Sequence, residues 1–219
     1  MGPIGVFGGT FDPIHLGHLR TALELLDKFA LAQIRFVPCR HPPDQKSPVA
    51  SAELRLQMVQ LAVSSESDFV VDDRELNRDG PSYSIATLES LRDEFPDRIL
   101  ALIIGMDAFL AFTSWHRWQD ILRLAHLIVA CRPGSDLPDT GDIGELLVHH
   151  GGRESSDLRG NSAGRILVHA VTQLEISSSA IRGMVSRGAD PRFLVPEAVE
   201  KFVEESGCYT SDVRKGGSN

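Results

Sequence analysis

Ile4-Gly5-Val6-Phe7-Gly8-Gly9-Thr10-Phe11-Asp12-Pro13-Ile14-His15-Leu16-Gly17-His18 decides how this chain is read. Its first four residues form a short apolar, strand-like run, and from Leu16 to Ala30 apolar residues recur at helical spacing, so a strand passes through a glycine turn into a helix. An α/β protein holds phosphate at such a crossing. Paired glycines let backbone N–H groups close on an oxyanion with no Cβ in the way, and the positive end of the helix adds attraction. His15 and His18 share a face if both lie on the first helical turn, and then point at one ligand. The spacing is not GxGxxG, because Gly5, Gly8 and Gly9 supply no third glycine in register, nor a Walker loop, which needs Gly-Lys-Ser/Thr. A zinc pair is disfavoured, since no Cys or His at ligand spacing joins these two. Helix capping without a ligand is the bland alternative, and the glycine turn weighs against it.

Outward from this turn, strand-like runs alternate with amphipathic segments. Residues 34–38, 69–72, 99–104, 127–130 and 166–170 read as strands, and 99–104 is apolar on both faces, as a central parallel strand is. Helices are expected over 51–64, capped by Ser51 with Leu54, Met58, Leu61 and Ala62 inward, over 84–94 and over 118–124, with two more after Ser177. Glycine, serine and acidic residues accumulate between Pro133 and Gly164, which reads as a surface excursion rather than core. The polar tail 210–219 reads as disordered. This alternation predicts an α/β fold with a doubly wound, Rossmann-like parallel sheet, helices on both faces and a small C-terminal helical part. The first strand is expected to be central, with ligands beyond the C-terminal strand ends at the switch point.

Composition narrows the partners. A chain of 219 residues with 42% hydrophobic content can bury one substantial core, so one domain is expected over 1–209. A formal net charge of -8 disfavours nucleic acid and favours a small phosphorylated substrate met by local cations and amides. Cys39, Cys131 and Cys208 are far apart, and neither a signal peptide nor an apolar run of membrane-spanning length is present, which suggests a cytoplasmic protein with reduced thiols and no membrane partner. A homo-oligomer is left open.

The longer pattern from Gly8 to His18, GGTFDPIHxGH, resembles the signature of the HxGH nucleotidylyltransferase superfamily and looks most like its nicotinate mononucleotide adenylyltransferase family. The resemblance implies that His15 and His18 bind the triphosphate of ATP and stabilise the transition state, with Gly8, Gly9, Thr10 and Phe11 at the ATP site and Asp12 toward the mononucleotide. Ile176-Ser177-Ser178-Ser179-Ala180-Ile181-Arg182 begins a helix after a strand; consecutive serines there are most often an ordinary cap. The segment is similar to the family's ISxTxIR, which implies ATP contacts for Ser177 and Ser179 and a catalytic Arg182. From local sequence Asp107, in Gly105-Met106-Asp107, is either a helix cap or a ribose ligand, and likeness to the family's GxD assigns Gly105 and Asp107 to adenosine. Pro81-Ser82-Tyr83-Ser84 and Thr113-Ser114-Trp115-His116 look like the family's nicotinate-pocket segments, implying contacts from Tyr83, Ser84, Trp115 and His116. Taken alone, Trp115 reads as core packing.

One segment departs from the family. Where it has Pro-Pro-His and a basic residue, this chain has His41-Pro42-Pro43-Asp44-Gln45-Lys46, so Asp44 is expected to turn away while Lys46 supplies the cation for the mononucleotide phosphate. The resemblance implies in-line attack of that phosphate on the α-phosphorus of ATP, with pyrophosphate leaving and Mg2+ carried with ATP, because no carboxylate cluster is seen to hold the metal. Pantetheine-phosphate or nicotinamide-mononucleotide adenylyl transfer, and a catalytically silent nucleotide sensor, are the alternatives.

Overall fold

A computed structural model describes residues 2–43, 47–152 and 154–210. In chain order the elements are β1 (Ile4–Gly9), α1 (Leu16–Phe29), β2 (Gln33–Pro38), α2 (Ala52–Val63), β3 (Phe69–Val71), α3 (Ser84–Glu94), β4 (Leu100–Gly105) and α4 (Met106–Leu110). A 3-10 turn (Phe112–Ser114) leads to α5 (Trp118–Leu124), β5 (His126–Cys131), α6 (Gly141–His150), β6 (Gly151–Gly152), α7 (Ser156–Arg159), β7 (Ile166–Ala170), α8 (Ser178–Ser186) and α9 (Glu197–Ser206). The strands pair in the order β3-β2-β1-β4-β5-β7-β6, all parallel. The doubly wound sheet expected from the alternation is present, and β1 lies inside it between β2 and β4.

Strand side chains alternate between faces, and the core divides accordingly. Ala101 and Ile103 of β4 and Ile128 and Ala130 of β5 point to the layer built by α1, α2, α7, α8 and α9. Leu100, Leu102, Ile104, Leu127 and Val129 point to the layer of α3, α4, α5 and α6. Helix α1 sits on the first layer because Ala22, Leu25, Leu26 and Phe29 form one apolar stripe, all buried. Each large member contributes roughly 1.5–3 kcal/mol. Gly5 leaves room for the side chains that cover β1 on this face, since a Cβ there would lie 3.0 Å from side-chain atoms of Ile34 in β2 and of Leu31 in the connection after α1.

Two helix expectations coincide with the observed bounds, α3 and α5, and α2 is capped as expected, with the Leu54 amide donating to Ser51 Oγ over 3.3 Å. The segment 133–164 needs correction. It holds α6, β6 and α7, and β6 pairs with β7 as the sheet's edge. Ile143 and Leu146, one helical turn apart, and Leu158 bury themselves, so a few apolar anchors outweigh a polar surround. Thr210, assigned to the tail, closes a turn by donating from Oγ1 to the Gly207 carbonyl at 2.7 Å; residues 211–219 lie outside the described residues.

Candidate active site

The order in which successive strands join the sheet reverses between the parallel strands β1 and β4, and beyond their C-terminal ends opens a cleft of about 520 Å3. Phe7, His15 and His18 bound it on one side, Gly105 ends β4 beneath it, and Arg132 and Ser177 come from the segments after β5 and β7. The structure therefore gathers His15, His18, Gly105 and Ser177 at the place where open α/β sheets bind ligands.

His15 is the N-cap of α1, in extended backbone, and its ring stacks on that of His18 with centroids 3.7 Å apart and planes 21° from parallel. The His15 amide donates to His18 Nδ1 at 3.2 Å, so in the neutral ring the His18 proton resides on Nε2. Phe11 stands edge-on to His18 at 5.2 Å and fixes its orientation. Gly17 is required by this packing, because a Cβ there would come within 3.0 Å of His15 Nδ1. Burial lowers the His15 pKa to about 4; burial and the neighbouring His15 lower that of His18 to about 3. Both rings are thus neutral near pH 7 and meet an anion as hydrogen-bond donors. His15 Nδ1 is buried against the first turn of α1, where the side chain of each histidine faces the backbone amide of the other.

Behind the pair, Asp12 takes an internal position. It is 4% exposed; Oδ2 accepts from the Val49 amide at 2.8 Å, and Oδ1 accepts from the Ala50 amide at 3.1 Å and the Tyr209 hydroxyl at 2.7 Å. Asp12, expected toward the mononucleotide, thus has its buried carboxylate oxygens held by protein donors. Arg182 donates from Nη1 to the Asp12 carbonyl at 2.6 Å and from Nη2 to Ser179 Oγ at 3.1 Å. Ser177 caps α8, accepting from the Ala180 amide, and Ser178 donates to the Pro13 carbonyl at 2.9 Å, tying α8 to the glycine turn. Phe11, expected at the ATP site, buries its ring against Phe7 and Phe36, which leaves its main chain to face the turn. Gly8 and Gly9 end β1 and Thr10 follows them; the Thr10 carbonyl accepts from Arg55 Nη1 at 2.7 Å.

The expected nicotinate residues gather beside β4. The Tyr83 and His116 rings lie 4.5 Å apart, Ser84 opens α3, and half-buried Trp115 packs 5.6 Å from Phe112, as Trp118 does at 5.9 Å. Ser82 Oγ accepts from the Arg40 and His41 amides at 3.0 and 3.2 Å, joining the loop after β2 to the start of α3. Asp107 is exposed on the first turn of α4. Asp44 and Lys46 lie outside the described residues. Sequence reasoning missed Arg132, Arg55 and Tyr209. Arg132, whose Nε donates to Gln173 at 2.6 Å, was findable as the residue just past a strand's C-terminal end.

Among the described residues no group of three or more His, Cys, Asp or Glu side chains is placed to hold a metal, and no helix is long and apolar enough to cross a membrane. A glycine turn leading into paired histidines at the switch point of a parallel sheet defines a nucleotidylyltransferase-type domain, and the cytidylyltransferase-like family model matches residues 6–184. A protein of Aeromonas hydrophila named "probable nicotinate-nucleotide adenylyltransferase" is 45% identical over 207 residues, covering 94% of this chain and 97% of its own. One of the same name from Acidithiobacillus ferrooxidans is 46% identical over 209 residues, covering 94% and 95%. The chain belongs to the nicotinate-nucleotide adenylyltransferase family. Its fold is similar to that of Plasmodium falciparum nicotinic acid mononucleotide adenylyltransferase complexed with NaAD, with a TM-score of 0.68, 16% identity and 95% and 98% of the two chains covered.

Proposed function

We propose that the chain transfers the adenylyl group of ATP to nicotinate mononucleotide, giving nicotinic acid adenine dinucleotide and pyrophosphate. The stacked, neutral His15–His18 pair at the switch-point cleft carries this reading, and the names of relatives 45% and 46% identical to the chain support it. The mononucleotide phosphate is ionised at neutral pH, so it attacks the α-phosphorus without a general base, the bond to the pyrophosphate oxygen breaks, and no proton need be moved. Catalysis then rests on position and charge. His18 Nε2–H and His15 donate to the triphosphate, together with the Gly9 and Thr10 amides. Ser177, Ser179 and Arg182 meet the β- and γ-phosphates, Gly105 and Asp107 hold adenosine, and Mg2+ arrives on ATP as part of the substrate. Tyr83, Ser84, Trp115 and His116 form the nicotinate subsite, with Lys46 at the mononucleotide phosphate. Three unpaired cysteines suit a reducing compartment such as the cytoplasm.

Pyrophosphate release tests this with purified protein, ATP, Mg2+ and, in turn, nicotinate mononucleotide, nicotinamide mononucleotide and phosphopantetheine. Turnover is expected with the first and at least about 100-fold lower turnover in His18→Ala, the usual scale for a donor aimed at a transferring group. Preferential use of either other acceptor, or no release with any, overturns the assignment.

A further inference from the structure

The geometry points to Tyr209 as a positioning residue for Arg182, acting through Asp12 from the far end of the described chain; the inference rests on the reading that Arg182 meets the triphosphate. Tyr209 follows α9 in left-handed backbone, φ 74°, a conformation unfavourable for an aromatic residue and one that turns its ring back under the glycine turn. There it is 7% exposed, packs into the core layer of α1, α8 and α9, and donates its hydroxyl to Asp12 Oδ1 at 2.7 Å. Burial and the Asp12 carboxylate both push its pKa up, so the hydroxyl keeps its proton and stays a donor.

Asp12 is the joint. Its carbonyl receives Arg182 Nη1 at 2.6 Å, and its Oδ2 lies 3.6 Å from the same nitrogen. The Val49 and Ala50 amides and the Tyr209 hydroxyl hold the carboxylate from two sides, so its rotamer, and with it the main chain that accepts Arg182, is set by three donors. The phenol is the one of these contributed by the C-terminal segment. Remove it, and one amide remains on each oxygen, Val49 on Oδ2 and Ala50 on Oδ1, which weakens the restraint against a turn of the carboxylate toward the guanidinium. A carboxylate that closes on Arg182 competes with phosphate for the same donors, which weakens the interaction at the transition state more than the enzyme's grip on its ground-state substrates.

The test is a double-mutant cycle on pyrophosphate release. Tyr209→Phe keeps the ring and removes the hydroxyl; kcat is expected to fall about three- to tenfold, with KM for ATP and nicotinate mononucleotide within twofold. In an Arg182→Ala background, itself strongly impaired, the same change is expected to produce no further loss. Val203→Ala controls for simple loosening of α9, since it trims a buried contact of that helix without touching the hydroxyl; it is expected to lower Tm while kcat at a temperature well below Tm stays as in the parent. An unchanged kcat in Tyr209→Phe, a full further loss in the Arg182→Ala background, or a kcat loss in Val203→Ala matching that of Tyr209→Phe overturns the positioning role alone. An Arg182→Ala variant with undiminished turnover overturns the reading of Arg182 and the positioning role with it.

Discussion

Histidine 18 enters the cleft with its proton already placed. Because the His15 amide occupies Nδ1, Nε2 must carry the hydrogen in the neutral ring, and burial keeps the ring neutral, so a donor is ready before any ligand arrives. This arrangement has a pH signature. Both rings titrate in the folded chain well below the ordinary histidine value, at about 4 and about 3. Between pH 6.5 and those values the unfolded chain binds more protons, so stability is fully present above pH 6.5 and is lost as pH falls. Moving from pH 7 to pH 5 should cost on the order of 4 kcal/mol from the pair, measured by urea unfolding. In His15→Gln/His18→Gln the loss over the same interval should be smaller by that amount; parallel curves for the two proteins would show that the pair is not held neutral. The motif was legible in the sequence, and so was its glycine. That Gly17 is needed because the His15 ring lies over it was not, since a stacked geometry leaves no mark on spacing.

At the scale of elements, α2 does more than cover the sheet. Its Arg55 is 1% exposed and gives donors to three carbonyls: Ala50 just before the helix at 3.2 Å, Thr10 in the glycine turn at 2.7 Å, and Arg40 after β2 at 3.5 Å. A single guanidinium thus clamps the turn to its neighbours. Arg55→Met, similar in reach but without donors, should lower unfolding free energy by about 3 kcal/mol in urea titration, because buried carbonyls lose charged partners. A midpoint equal to that of the parent chain would deny the clamp. Helices such as α3 and α5 could be read from periodicity to their observed ends. Arg55 could not, since a basic residue on an amphipathic helix reads as solvent-facing until the acceptors around it are known. The hydrogen bonding of Asp12 was illegible for the same reason: a carboxylate in a ligand turn looks like a ligand group, and its protein partners are 37, 38 and 197 residues away.

Over the whole molecule the sheet should open from its edges. β1, β4 and β5 are interior strands, and β4 and β5 are almost wholly buried, whereas β3 is half-buried throughout and β6 is two residues long. Native-state hydrogen exchange should therefore find amides of β4 and β5 exchanging only with global unfolding, and those of β3 and β6 orders of magnitude faster. Uniform protection across the sheet would contradict this grading. The strand order itself was only partly legible: alternation predicts a doubly wound sheet with β1 inside it, but the β5-β7-β6 reversal depends on a two-residue strand of glycines that carries no β propensity. The bond between Tyr209 and Asp12 bears on how the protein is made. Translation delivers Asp12 to the outside of the ribosome 197 residues ahead of the phenol that completes its coordination. The strands and helices of the first half can assemble during synthesis, as N-terminal segments do. The glycine turn, however, reaches its final hydrogen bonding only when the α9 segment has emerged and folded back, so among the first structures begun, the ligand-facing one is among the last finished.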